Sequence, residues 1–222
     1  MGSMSKPRVA PIYSLGEEIA HAITHGVGVV ASIVGLAVLV GFAAKWGNAW
    51  HLVGCSIFGA TLILTYTAST LYHSIPLERA KRILRSLDHS AIFLLIAGTY
   101  TPFTLVNLRG PWGWSILGVV WGIAIFGIVL EFTPLRSIRA IPIVLYLVLG
   151  WLIVIATKPM FATVATGGLV LVATGGLVYT VGIIFYGLKR MRYHHAIWHV
   201  FVMVGSTLHF FAVLLYVIPV RG

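Results

Sequence analysis

The chain contains one cysteine, Cys55, which excludes an internal disulfide and a cage of thiolates around a metal. Acidic side chains are scarce too, five against fifteen Lys and Arg. Charged residues together make up 9%, where a soluble domain carries about 25%, so a surface that faces water all round is excluded. The first long apolar run lacks a small-residue cleavage site and reads as a retained span, not a signal peptide.

What remains is 59% hydrophobic over 222 residues, the composition of an integral membrane protein. Seven apolar segments reach the roughly 20 residues a bilayer requires, at 19–43, 50–72, 88–107, 112–131, 137–156, 163–187 and 195–217. Polar or turn-forming stretches separate them, among them 74–87, Thr133 to Arg139 and Lys158-Pro159. Connections this short predict an all-α, seven-transmembrane helix bundle over 19–222, preceded by a tail at 1–18 whose first three residues read as an expression scar. Eleven Lys and Arg fall on the side of the N-terminus and four on the other. By the positive-inside rule the N-terminus is expected in the cytoplasm and the C-terminus outside. The same loops account for the net charge of +10, and nucleic acid is not expected as a partner. A direct duplication in the sixth segment, 164–170 and 172–178, predicts helix packing through small residues. Trp46, Trp50, Trp112, Trp114 and Trp151 read as interfacial anchors.

Threaded in this way, the ionisable residues converge on one leaflet. Glu17, Glu18, His21 and His25 enter the first span from the cytoplasm, Ser69 and His73 end the second there, Asp88 and His89 open the third, and His195 and His199 open the seventh. Charge in a membrane is costly, so such residues usually face the bundle interior and serve a site. His195 and His199, four apart, share one helical face. With His73 they form the neutral-nitrogen set of a catalytic zinc, leaving a fourth position for water. Asp88 is then expected to hold or deprotonate that water, and Ser69 to donate a hydrogen bond to a developing oxyanion. Glu18, His21 and His25, at offsets of three and seven, form a surrounding face. Plainer readings stand beside these: His73 as an interfacial histidine and Asp88 as the cap of the third helix. His89 and His194 read as loop or interface residues, His51 and His209 fall towards the opposite side, and Glu131 is expected to pair with Arg136 or Arg139.

Glu18 to His25, Ser69 to His73, Asp88 with 97–102, and His195 to His199 together resemble the motifs of the hemolysin III family. That family lies within the wider group of progestin and adipoQ receptors, distantly related to alkaline ceramidases. The resemblance covers all seven segments. It implies a zinc on the cytoplasmic side bound by His73, His195 and His199, with Asp88 on the zinc water and Ser69 beside it. The family's first motif has Asn where this chain has His21, a departure that either alters the pattern around the ligands or adds a nitrogen near the expected metal. Bacterial members are named for haemolysis and linked to membrane-lipid homeostasis, implying a multi-pass protein of the bacterial plasma membrane with membrane lipids as partners.

The leading expectation is a zinc-dependent hydrolase of a lipid amide or ester. A non-enzymatic sensor, in which zinc staples the second and seventh spans, is the alternative. A pore-forming cytolysin is a third, against which stands the lack of a polar stripe through any span.

Overall fold

The computed structural model describes residues 13–138 and 140–219, so the expected scar and most of the expected tail lie outside the described residues. The first helix, α1 (Leu15–Trp46), starts at Ser14, whose side chain accepts from the Glu17 N–H while the Glu17 carboxylate accepts from the Ser14 N–H. Such a reciprocal cap stabilises a helix start by about 1 kcal/mol. Along α1 the polar positions His21, His25 and Ser32 are buried with Gly28, while Ile19, Ile23, Val27, Val30 and Val34 are exposed. A helix that turns its polar face inward and its apolar face outward is stable where lipid is the solvent.

Helices α2 (Ala49–Ser74), capped by Asn48, and α3 (Glu78–Leu105) pack closely, because Gly54 lies against Pro102 and a Cβ at Gly98 would overlap the Thr61 side chain. Approach through small residues replaces the hydrophobic drive that lipid cannot supply. The start of α3 differs from the expected 88: ten residues read as connection are helical. Glu78, Arg79, Lys81, Arg82 and Arg85 make that extension too polar for a bilayer window, yet they alternate with Ile83, Leu84 and Leu87 as an amphipathic helix does. From Ala91 to Leu105 the helix is mostly buried.

After α4 (Pro111–Glu131), the fifth passage is broken: α5 (Ala140–Trp151), a 3-10 stretch (Leu152–Ala156) and α6 (Thr157–Thr163) run in series over 24 residues. Tyr100 serves the freed backbone groups. Its hydroxyl points at the Leu149 and Gly150 carbonyls, 2.8 and 2.9 Å away, and accepts from the Ile153 N–H at 3.0 Å. The expected break at Lys158-Pro159 does not form, since Pro159 falls in the first turn of α6, where its missing N–H forfeits no intrahelical bond.

The bundle closes with α7 (Thr166–Gly187) and α8 (His194–Tyr216). Gly168, Gly175 and Gly182, seven apart, are the buried positions of α7 and meet Tyr216, His209 and the Phe201–Trp198 pair of α8. The duplicated sequence supplies the first two, so it serves helix packing. Among the described residues six helical passages are long and apolar enough to cross a membrane, and α3 is a further long helix outside that set.

Candidate metal centre

His73 lies in the last turn of α2, and His195 and His199 in the first two turns of α8. All three are buried, and one ring nitrogen from each falls within 4.8 Å of the others. Between these helices stands α1, which contributes Glu18, His21, Thr24 and His25.

Two of the rings are held in a defined orientation. The Glu18 carboxylate accepts from His73 Nδ1 at 2.6 Å and from Lys81 Nζ at 2.5 Å. That leaves His73 Nε2, buried and without a hydrogen-bond partner, as its free nitrogen. The Thr24 hydroxyl lies 2.9 Å from the Ala20 and His21 carbonyls, to which it donates, and so accepts from His199 Nδ1 at 3.1 Å. His199 Nε2 therefore keeps its lone pair. Both nitrogens of His195 are buried without partners. Leaving a buried polar atom unpaired costs about 1–3 kcal/mol, so the set fits a cation that takes neutral imidazole nitrogens.

A cavity of about 290 Å³ begins at this cluster. His195, His199, Asp88 and Ser69 line one end, and apolar and aromatic side chains such as Ile92, Leu95, Ile96, Phe103, Met160 and Leu169 line the rest. Asp88 and Ser69 line the same end, where the Ser69 hydroxyl is buried without a hydrogen-bond partner. Asp88 sits ten residues inside α3, which corrects the reading of it as a helix cap. On the outer side Tyr13 stacks on His195 with centroids 5.4 Å apart and meets the edge of His21 at 4.7 Å. Burial pushes its phenol well above the ordinary range, so Tyr13 stays protonated.

Of the other expected residues, Glu17 faces away from Glu18 as helical phase requires, and accepts from the Tyr193 N–H at 3.2 Å. Tyr193 has φ of 59°, the left-handed turn that launches α8 towards the cluster. His25 stacks on His199. His51 caps α2 with Asn48, and His194, the first residue of α8, lies 3.1 Å from the Phe185 carbonyl through Nδ1. The Glu131 carboxylate meets His89 at 3.4 Å, while Arg136 donates to Ser86 Oγ and to the Glu131 backbone carbonyl. The expected ion pair with Arg136 is thus replaced, because the longer α3 brings Ser86 and His89 to the end of α4, and the alternative partner Arg139 lies outside the described residues. His209 lies at the deep end of the cavity against Tyr179. Sequence reasoning missed Lys81, Thr24 and Tyr13. Lys81 is seven residues before Asp88, a same-face spacing that becomes visible once 78–87 is read as helix.

Glu18→Gln replaces the charged acceptor that orients His73 with a neutral amide, whose carbonyl accepts more weakly. It is expected to weaken metal binding by about 10–100-fold, the usual effect of losing such an outer partner, as read by competition with a chelator.

The family described as Haemolysin-III related matches residues 13–210. Hemolysin-3 homolog of Bacillus subtilis (strain 168) is 47% identical over 209 residues, covering 94% of this chain and 98% of that one. Hemolysin-3 of Bacillus cereus is 45% identical over 203 residues, covering 91% and 93%. More distantly, the human Monocyte to macrophage differentiation factor is 26% identical over 208 residues, 90% of this chain and 84% of that one. The apolar helices and these relatives make the chain a multi-pass integral membrane protein, and the bacterial ones point to the plasma membrane. With the match running from the residue before the α1 cap to the last turns of α8, the chain belongs to the hemolysin III family.

Proposed function

We propose that this protein is a zinc-dependent hydrolase that cleaves an amide or ester bond of a membrane lipid and so adjusts membrane composition. In this reading seven spans carry the N-terminus in the cytoplasm and the C-terminus outside, with the site at the cytoplasmic leaflet. Support for the orientation comes from Arg79, Lys81, Arg82, Arg85, Lys189, Arg190 and Arg192, which flank the histidine end of the bundle.

The carrying observation is that three buried imidazoles meet, two of which, His195 and His199, line the end of a mostly apolar cavity. A lipid carbonyl fits the polar end and its acyl chain the apolar remainder. His73, His195 and His199 would hold the ion. When bound, zinc supplies Lewis acidity, polarising a carbonyl and making water a stronger acid near neutral pH. Asp88 is the carboxyl placed to take the proton from the attacking water. The Ser69 hydroxyl is placed to donate to the carbonyl oxygen as it gains negative charge.

The test is release of free fatty acid from lipid amides and esters by protein reconstituted in liposomes. Chelation is expected to lower the rate by about 100-fold or more, and added zinc to restore it. Turnover unaffected by complete metal removal would refute the mechanism.

A further inference from the structure

Three imidazoles are enough for an open zinc site, but a fourth stands among them. His21 is fully buried, and neither of its ring nitrogens has a hydrogen-bond partner. Its centroid lies 4.6 Å from that of His73, 4.9 Å from His195 and 5.5 Å from His199. The other three pairs are 5.2 Å for His73 and His195, 5.4 Å for His73 and His199, and 4.5 Å for His195 and His199. All six ring pairs are inclined by 55 to 80°. Rings bound at their nitrogens to one tetrahedral ion, with metal–nitrogen bonds near 2 Å, have centroids roughly 5 Å apart. The four ring centroids stand near that separation, and the His21 nitrogen, which is grouped with His73 and Glu18 and not with His195 and His199, reaches the same ion by turning its ring.

We propose that His21 is a fourth protein ligand, which closes the resting metal site against water. This rests on the metal reading above and adds to it a switch: the site opens when His21 leaves the ion. A ligand atom of His21 is already within 4.8 Å of one on His73, and its Nδ1 faces the Glu18 carboxylate at 4.0 Å. Glu18 therefore lies on the outer side of both rings. Tyr13 covers the edge of His21 from outside, which keeps bulk water from supplying the fourth ligand instead.

His25, the remaining histidine of α1 at the site, is a different case. It lies face to face with His199, 3.5 Å away and 10° from parallel. Imidazole lone pairs lie in the ring plane, so two stacked rings cannot both aim at one ion. His25 packs, and His21 binds.

The experiment loads the full chain with cobalt(II) in detergent and records its visible spectrum while azide, a small one-point ligand, is added. Wild type is expected to show a four-coordinate spectrum that azide does not change. His21→Asn is expected to respond to azide at concentrations at least ten-fold lower, and His25→Asn to behave as wild type. X-ray absorption on zinc-loaded wild type, which needs no variant to fold, is expected to count four imidazoles. Three imidazoles, or equal azide responses from wild type and His21→Asn, would overturn the assignment while leaving the three-histidine site intact. Opening by His25→Asn in place of His21→Asn would overturn it as well. Failure of wild type to bind either metal would overturn the metal reading and this inference with it.

Discussion

Replacing His199 with Ala is expected to empty the metal site, lowering zinc from about one per chain to under about a tenth after dialysis. The size of the effect follows from where His199 sits. It is 1% exposed, and Thr24 engages its Nδ1, so the ring cannot turn away and its Nε2 is committed to the cluster. In the proposed metal site, removing it deletes a ligand outright, whereas losing an outer partner such as Glu18 only loosens one. The fall in affinity should therefore exceed the roughly 100-fold upper range of outer-partner losses. Elemental analysis of purified protein reads this directly. Thermal unfolding gives a second reading: chelator should lower the Tm of wild type and leave that of His199→Ala unchanged, because a ligand that binds the folded state stabilises only a protein that binds it. Full metal retention by His199→Ala would remove His199 from the ligand set.

Much of this arrangement is written in the sequence, for reasons that also mark where reading it fails. Apolar runs located the passages because a lipid-facing helix must be apolar along most of its length, as the exposed Val and Ile of α1 are. The same criterion missed the start of α3. Its first turns stand where their charges are tolerated, and hydrophobicity says nothing about helicity there. The break in the fifth passage was also hidden, since it depends on the Tyr100 hydroxyl reaching backbone groups some fifty residues away. At the site, spacing within one helix revealed His195 with His199 and Glu18 with His21, because i+3 and i+4 neighbours share a face. What spacing cannot reveal is distance between helices. That Glu18 meets His73, that Thr24 meets His199, and that Glu131 prefers His89 to Arg136 depend on how α1, α2, α3, α4 and α8 pack.

Asp88→Asn is expected to separate metal binding from turnover. The group of three nitrogens drawn together at the cluster comes from His73, His195 and His199, and Asp88 is not one of its members. Metal content should therefore remain near wild type. Under the proposed mechanism turnover should fall by about 100- to 10,000-fold, the contribution of a positioned proton acceptor, because an amide cannot take the proton assigned there to the carboxylate. Asn also keeps the volume of Asp, so the cavity and its lining should be little changed. Activity and metal must be measured on the same preparation, since loss of both together would mean that the variant had disturbed the site itself. Retained turnover with retained metal would take the proton-accepting role from Asp88. The search for the base would then pass to the other polar groups at that end of the cavity, of which His25 and His89 are the imidazoles outside the ligand set. Fatty-acid release lost with metal retained would separate what Asp88 does from what the histidines do, which metal removal alone cannot achieve.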